Sequence, residues 1–202
     1  MGDGIAFERI RPSDCAIAFG IPTTEAAFWD ALDDHSNREF VPAVCRGIWT
    51  RYANDVVRHL DIVLPDLANR GVTVCRDLTP KVFSNLLENP RFRAVILFAH
   101  CRPDAIEFSD SLKAIAEVLE LIPPDFDRIL DLCGCESKEL LRRVKGARHH
   151  CLVKGTNEAL TPVVWIYFYQ ILFQNLGLAA LANTPMTYLE AFENSARQMM
   201  KC

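Results

Sequence analysis

Short runs of apolar residues alternate with longer segments of helical periodicity along most of this chain. Two of the runs end abruptly at polar or turn residues, residues 94–99 before His100 and residues 129–132 before Cys133. Such runs are typical of strands buried on both faces, whereas spacings of three and four residues indicate amphipathic helices. The pattern predicts the order β-α-β-α-β-(β)-α-β-α-β-α-α, which is typical of a mainly parallel sheet with helices on both faces.

Turn and capping residues set the bounds of the predicted elements. Strands are predicted at residues 15–19, 71–77, 94–99, 129–132 and 149–155, with an edge strand or hairpin arm at 105–110. Helices are predicted at residues 36–69, 79–88, 109–121, 136–144, 159–176 and 187–199. Ser36 and Glu39 form a capping-box pattern, and Thr79 before Pro80 marks another helix start. We therefore predict a single domain over residues 1–202, a three-layer α-β-α sandwich with a mainly parallel sheet, in which residues 1–35 form a less regular N-terminal segment.

The strand before His100 and the strand before Cys133-Gly134-Cys135 are predicted to belong to one βαβ unit. A right-handed crossover places the ends of both strands at the same edge of the sheet, where open α/β sheets bind ligands. Neighbouring strands lie about 4.8 Å apart. The side chains of His100 and Cys135 can then meet, and a Cys–His pair is the minimum requirement for a thiol nucleophile.

Composition and charge argue against a nucleic-acid-binding, secreted or membrane-spanning protein. The net charge of −4 and the pI near 5.7 give no reason to expect nucleic acid as a partner. The N-terminus lacks the pattern of a signal peptide, and polar residues interrupt the apolar stretch at 162–182, so we expect no membrane span. Eight scattered cysteines favour free thiols in a reducing cytosol. We therefore expect a cytoplasmic protein.

Cys135 lies at a predicted transition from strand to helix. The unpaired N–H groups and the positive end of the helix dipole stabilise a thiolate there, which lowers the pKa of the thiol. Its own N–H, with one from the loop after His100, can hold the oxyanion of an acyl-transfer intermediate. Glu136 and Glu139 oppose this effect because their carboxylates compete for the same dipole. The alternative interpretation is a cysteine that serves only as a small buried apolar residue.

Two sequence blocks resemble the caspase-like clan of cysteine peptidases, and within it the CHAT and separase branch. They are AVILFAH, which ends in His100, and ILDLCGCES, which contains Gly134-Cys135-Glu136-Ser137. In that branch an apolar strand ends in the catalytic His, and a later strand ends in Gly-Cys or Ala-Cys, one further residue and then Ser or Thr. The segment IEFSD between the blocks resembles the short strand and aspartate that CHAT domains often have. A weaker resemblance extends from about Gly71 to the C-terminus.

The resemblance implies a cysteine endopeptidase that cleaves protein substrates, with Arg or Lys favoured before the scissile bond. His100 would act as the base, Cys135 as the nucleophile, and the backbone N–H groups of Cys101 and Cys135 as the oxyanion hole. Two positions depart from the expected pattern. Cys101 occupies the place of the usual Gly after the His, and Cys133 is an alternative nucleophile.

Asp131 is a carboxylate within an otherwise apolar predicted strand, where it requires pairing or solvation. One interpretation places it in a substrate pocket for a basic side chain, and the other in a structural hydrogen bond to a neighbouring loop. The group His149-His150-Cys151 fits no zinc-binding spacing, so we expect neither a metal nor a cofactor.

A second hypothesis is a catalytically inactive caspase-like domain that acts as a protein-interaction module, which Cys101 and the ambiguity between Cys133 and Cys135 motivate. For an active peptidase the expected partners are a protein or peptide substrate and an activating subunit or a second copy of the chain, because an ungated cytosolic peptidase is hazardous. The alternative gate is residues 1–35, folded across the active edge.

Overall fold

A five-stranded sheet forms the centre of this protein in the computed structural model, which describes residues 9–33, 39–134, 137–147, 152–155, 161–184 and 186–201. Every pair of neighbouring strands in this sheet is parallel. The strands in chain order are β1 (Cys15–Phe19), β2 (Thr73–Cys75), β3 (Ala94–Phe98), β4 (Ala105–Glu107), β5 (Leu112–Ala114), β6 (Ile129–Cys133) and β7 (Leu152–Gly155). The spatial order is β2-β1-β3-β6-β7, and β4 and β5 form a separate antiparallel hairpin.

Helices connect most of the strands, and two further helices come after the last strand in the chain. They are α1 (Glu25–Asp33), α2 (Phe40–Cys45), α3 (Trp49–Tyr52), α4 (Arg58–Asn69), α5 (Pro80–Glu88), α6 (Ile115–Leu121), α7 (Lys138–Ala147), α8 (Pro162–Leu181) and α9 (Tyr188–Met199). A π-helical segment, Ala53–Val57, joins α3 to α4, and a short 3-10 helix, Pro12–Asp14, precedes β1.

The sheet is buried on both faces, as the continuous apolar runs predicted. Ala94, Ile96 and Phe98 of β3 pack in one cluster with residues of α4, α8 and α9. Val95 and Leu97 point to the opposite face and pack in a second cluster with residues of α5, α6 and α7. Since successive side chains of a strand alternate between faces, this division shows helices on both sides of the sheet. The α/β class and the parallel sheet are confirmed.

Two predicted helices differ from the observed ones. The predicted helix at residues 36–69 is interrupted after α2, because Arg46 and Gly47 adopt left-handed backbone angles, with φ of 56° and 71°. The predicted helix at residues 109–121 begins only at Ile115, because residues 112–114 form β5 and pair with β4. The carboxylate of Glu117 accepts a hydrogen bond from the N–H of Ala114 and so caps the helix at this later start. Ser36, the first residue of the predicted capping box, lies outside the described residues.

The N-terminal part of the chain is built into the sheet. β1 pairs with β2 on one side and with β3 on the other, and all five of its residues are buried. The strand predicted at residues 15–19 is thus confirmed. Because β1 is an inner strand, residues 15–19 themselves belong to the core of the sheet and not to a gate.

Helix α8 is the one helix within the described part of the chain that is long and apolar enough to cross a membrane, judged by length and composition alone. Its apolar residues have a structural use here. One face is buried in the core through Ile166, Tyr169, Leu172, Phe173 and Leu176. A core helix of this kind has the same composition as a membrane span.

Asp131 lies in the middle of β6, paired in register with Ile96, and is only 1% exposed. The hydroxyl of Tyr188, the first residue of α9, donates a hydrogen bond of 2.7 Å to its carboxylate. Burial, together with the neighbouring carboxylate, raises the pKa of Tyr188, so its hydroxyl stays protonated and remains a donor. The contact attaches the start of α9 to the centre of the sheet.

We predict that Tyr188→Phe lowers the free energy of unfolding by about 2 kcal/mol, because it removes a buried hydrogen bond to a charged group. Urea unfolding followed by circular dichroism measures the change. Tyr167→Phe is the matched control, since its hydroxyl lies 3.0 Å from Nδ1 of the part-buried His59, and a substitution near the surface costs about 0.5 kcal/mol or less. Equal effects of the two substitutions would contradict a structural role for the Asp131–Tyr188 contact.

Candidate active site

His100 lies just beyond the carboxyl end of β3, at the edge of the sheet that the sequence analysis selected. Its side chain is 21% exposed, and its ring lies 5.6 Å from that of Phe40, measured between centroids. The Nε2 atom is 3.9 Å from a carboxylate oxygen of Glu107. This distance is too long for a direct hydrogen bond but allows an electrostatic contact. His100 is thus partly accessible and has a carboxylate beside its ring.

A short hairpin fixes Glu107 opposite His100. The N–H of Glu107 donates to the carbonyl of His100 at 3.0 Å, and the N–H of Arg102 donates to the carbonyl of Ala105 at 2.8 Å. Between these two bonds, Cys101 pairs with Ile106 in an antiparallel bridge. In such a pair the N–H groups point away from the partner strand, so the N–H of Cys101 is directed to the other side of the hairpin.

The carboxylate of Glu107 is buried, 4% exposed for the whole residue, and it caps helix α2. It accepts hydrogen bonds from the backbone N–H groups of Glu39, at 2.6 Å, and of Phe40, at 3.3 Å. These are unpaired donors of a helix start, which favour a negative charge. One side chain therefore positions α2 and also lies beside the imidazole of His100. The role of Glu107 was not predicted from the sequence, although a carboxylate within the alternating apolar run AIEF could have indicated a buried and therefore functional or structural acid.

Gly134, at the end of β6, is required by the close approach of the His100 loop. A Cβ atom at this position would collide with the Sγ atom of Cys101 and would lie 2.6 Å from the carbonyl oxygen of Ala99. The N–H of Ala99 also donates to the carbonyl of Cys133 at 3.1 Å. These contacts bring the residues after β3 and after β6 together.

Cys101 fits its position without backbone strain. Within the described residues, the only non-glycine residues with positive φ are Arg46 and Asn183. Cys101 therefore needs none of the conformational freedom that a glycine provides. Its side chain is 2% exposed and packs beneath Gly134. A cysteine at this position is thus accommodated by Gly134, which follows the neighbouring strand β6.

Of the two candidate nucleophiles, the structure describes only Cys133. Cys135 lies outside the described residues, directly after Gly134 in the sequence. Cys133 is 3% exposed at the end of β6, and its thiol makes a hydrogen bond with the buried hydroxyl of Tyr169. Burial and the nearby Asp131 carboxylate raise the pKa of Tyr169, so this hydroxyl is also protonated. The position of Cys133 is typical of a packed core thiol.

An apolar cavity of about 120 Å³ opens between the ends of β3 and β6. His100, Cys133 and Gly134 line one part of it, and the rest is formed by apolar side chains, mainly Ile21, Phe40, Val44, Phe98, Pro162 and Trp165. A larger cavity of about 440 Å³ lies near the starts of the same strands and is lined by Arg93, Asp125, Asp127 and Arg128. The lining of that larger cavity contains neither His nor Cys, so the chemistry expected here belongs to the smaller one.

Asp131 does not line the cavity beside His100. It is buried two residues before the end of β6 and receives the hydroxyl of Tyr188. Of the two interpretations, its position favours the structural hydrogen bond, with a helix residue rather than a loop as the donor. The substrate-pocket interpretation lacks the access to solvent that it requires.

The charge of Glu139, in the first turn of α7, is compensated locally. Its carboxylate accepts hydrogen bonds from Arg142 and Arg143, and these bonds lower its pKa to about 2. The competition with a thiolate at this helix end, expected from the sequence, is therefore reduced by two nearby cations. Glu136 lies outside the described residues, as do His149, His150 and Cys151.

No protein-family model matches this chain, and a search of curated proteins finds no match to it either. Within the described part of the chain, no group of three or more His, Cys, Asp or Glu side chains is arranged to hold a metal ion. The function is therefore inferred from the chain's own residues and their geometry.

We predict that Glu107→Gln lowers the free energy of unfolding by about 1–2 kcal/mol, because it removes the charge that caps α2 at a buried position. Thermal and urea unfolding measure the change. Glu117→Gln is the control, since Glu117 caps α6 in the same way at an exposed position. A cost for Glu107→Gln no larger than that for Glu117→Gln would contradict the role assigned to the buried carboxylate.

Proposed function

We propose that this protein is a cysteine peptidase of the caspase-like type, with His100 as the base and Cys135 as the nucleophile. One observation carries the proposal. His100 and Gly134 follow neighbouring parallel strands and line one cavity at the carboxyl edge of the sheet, and Cys135 comes next in the sequence. The sequence blocks around these residues resemble those of the CHAT and separase branch.

The proposed reaction begins with transfer of the Cys135 thiol proton to the imidazole of His100. The thiolate sulfur attacks the carbonyl carbon of the scissile bond, and the backbone N–H groups of Cys101 and Cys135 stabilise the oxyanion. Collapse of this intermediate breaks the C–N bond, and the imidazolium gives its proton to the leaving amine. Water, deprotonated by His100, then hydrolyses the thioester and regenerates the thiol.

Glu107 has a positioning role in this proposal. Its carboxylate lies 3.9 Å from Nε2 of His100, where it interacts favourably with the imidazolium that forms during the reaction. It also holds the N-terminus of α2, which forms one wall of the cavity. An acidic residue that orients a histidine base is a recurrent element of nucleophilic active sites.

Cys133 is disfavoured as the nucleophile by its surroundings. Its side chain is almost fully buried at the end of β6, where a substrate has little access to the sulfur. The sequence pattern Gly-Cys-x-Ser also selects Cys135. The inactive interaction module remains the alternative hypothesis, and reactivity of the thiol distinguishes it from the peptidase.

We predict that a panel of peptidyl acyloxymethyl ketones labels Cys135 and that Cys135→Ala abolishes this labelling. His100→Ala should lower the labelling rate at least about 100-fold, because the general base is lost. Mass spectrometry of the labelled peptides identifies the cysteine. Cys75→Ala is the matched control, since Cys75 is half-buried on β2 and lies outside the site.

Other outcomes reassign the function. Labelling that persists in Cys135→Ala and disappears in Cys133→Ala would make Cys133 the nucleophile. Labelling lost in neither variant would remove the peptidase proposal and leave the interaction module. Hydrolysis of fluorogenic peptides by the same variants gives an independent readout.

A further inference from the structure

The described lining of the cavity beside His100 includes no Lys, Arg, Asp or Glu side chain. Among the described residues that line it, only His100 and Cys133 have ionisable side chains. The buried carboxylates of Asp131 and Glu107 already have partners, since Asp131 accepts from Tyr188 and Glu107 caps α2. A Lys, Arg, Asp or Glu side chain placed in this cavity would lose hydration without gaining a partner of opposite charge among the described lining residues, which costs several kcal/mol.

The size of the cavity matches a single side chain. Its volume is about 120 Å³. An apolar cavity of about 150 Å³ accommodates a benzene ring. The cavity therefore accommodates an aliphatic side chain of leucine or methionine size. Filling it buries apolar surface, which stabilises a complex by about 1.5–3 kcal/mol for a side chain of this size.

Trp165 adds a polar group to this otherwise apolar lining. Its indole N–H is shielded from solvent and has no hydrogen-bond acceptor in the described structure. Because this N–H is shielded, it is not available as a donor to a ligand in the cavity. The indole ring nevertheless lines the cavity, so its N–H resonance reports on whether the cavity is occupied.

We propose that this cavity binds an apolar side chain of leucine or methionine size from a peptide. The identification of the ligand as a peptide rests on the proposed function. The proposal departs from the preference for Arg or Lys that the family resemblance implies, because the acidic residue expected to read a basic side chain, Asp131, is sealed in the core.

Binding is measured without catalysis, in the Cys135→Ala variant labelled with ¹⁵N. N-acetyl methylamides of leucine, methionine, arginine and aspartate are titrated while the indole N–H resonances are recorded. Trp165→Phe assigns the signal of Trp165, and those of Trp29 and Trp49 serve as internal controls. We expect leucine and methionine to shift the Trp165 signal with affinities at least about tenfold higher than arginine or aspartate.

A charge placed in the lining should reverse this preference. Val44 is half-buried and lines the cavity, so Val44→Asp introduces a carboxylate there. We expect Val44→Asp to bind the arginine compound at least about tenfold more tightly than does Val44→Asn, the neutral control of similar size. Thermal unfolding of both variants verifies that they are folded.

Two results would overturn the proposal. One is that the arginine compound shifts the Trp165 signal at lower concentration than the leucine compound in the Cys135→Ala protein. The other is that none of the compounds shifts it. Either result leaves the peptidase proposal intact if Cys135 still reacts with peptidyl ketones, and a lack of such reaction leaves the binding result intact.

Discussion

The parallel pairing of β3 with β6 is the constraint on which the candidate site depends. The pairing places Phe98 opposite Cys133, so the next residues of both strands, Ala99 and Gly134, leave the sheet at the same level. A shift of two residues in this register would move His100 about 7 Å along the strand and separate it from Gly134. The register is fixed by burial on both faces, because a one-residue slip would exchange the side chains of the two core clusters.

Glu107 extends this constraint from the sheet to helix α2. The hairpin hydrogen bond between Glu107 and His100 aligns the two residues, and the buried carboxylate then holds the first N–H groups of α2. An exposed ion pair between Arg102 and Glu39, at 3.4 Å, joins the same two segments. The wall of the cavity and the imidazole are thus positioned by one side chain, which couples the shape of the cavity to the candidate base.

The sequence predicted the sheet well because buried parallel strands are short apolar runs with sharp ends. It located β3 and β6, the edge that carries His100, and the helix start at Pro80, which Thr79 caps as expected. The helix predicted at residues 187–199 is also present, and the structure shows that Thr187 caps it. It missed the break at Arg46–Gly47, since helical periodicity continues across it, and it missed β5, whose pairing with β4 is a tertiary contact. The roles of Glu107 and Asp131 also depend on contacts between residues distant in the chain, 68 positions for Glu39 and Glu107 and 57 for Asp131 and Tyr188. Local pattern does not contain such contacts.

The central claim is that Cys135 is an activated thiol whose reactivity depends on His100. The rate of alkylation of Cys135 by iodoacetamide as a function of pH, in the wild type and in His100→Ala, tests it most directly. The account predicts rapid alkylation of Cys135 near pH 7, with an apparent pKa below the ordinary value of about 8.5, and a clear loss of rate at pH 7 in His100→Ala. An apparent pKa at or above that value, unchanged by His100→Ala, would contradict the account.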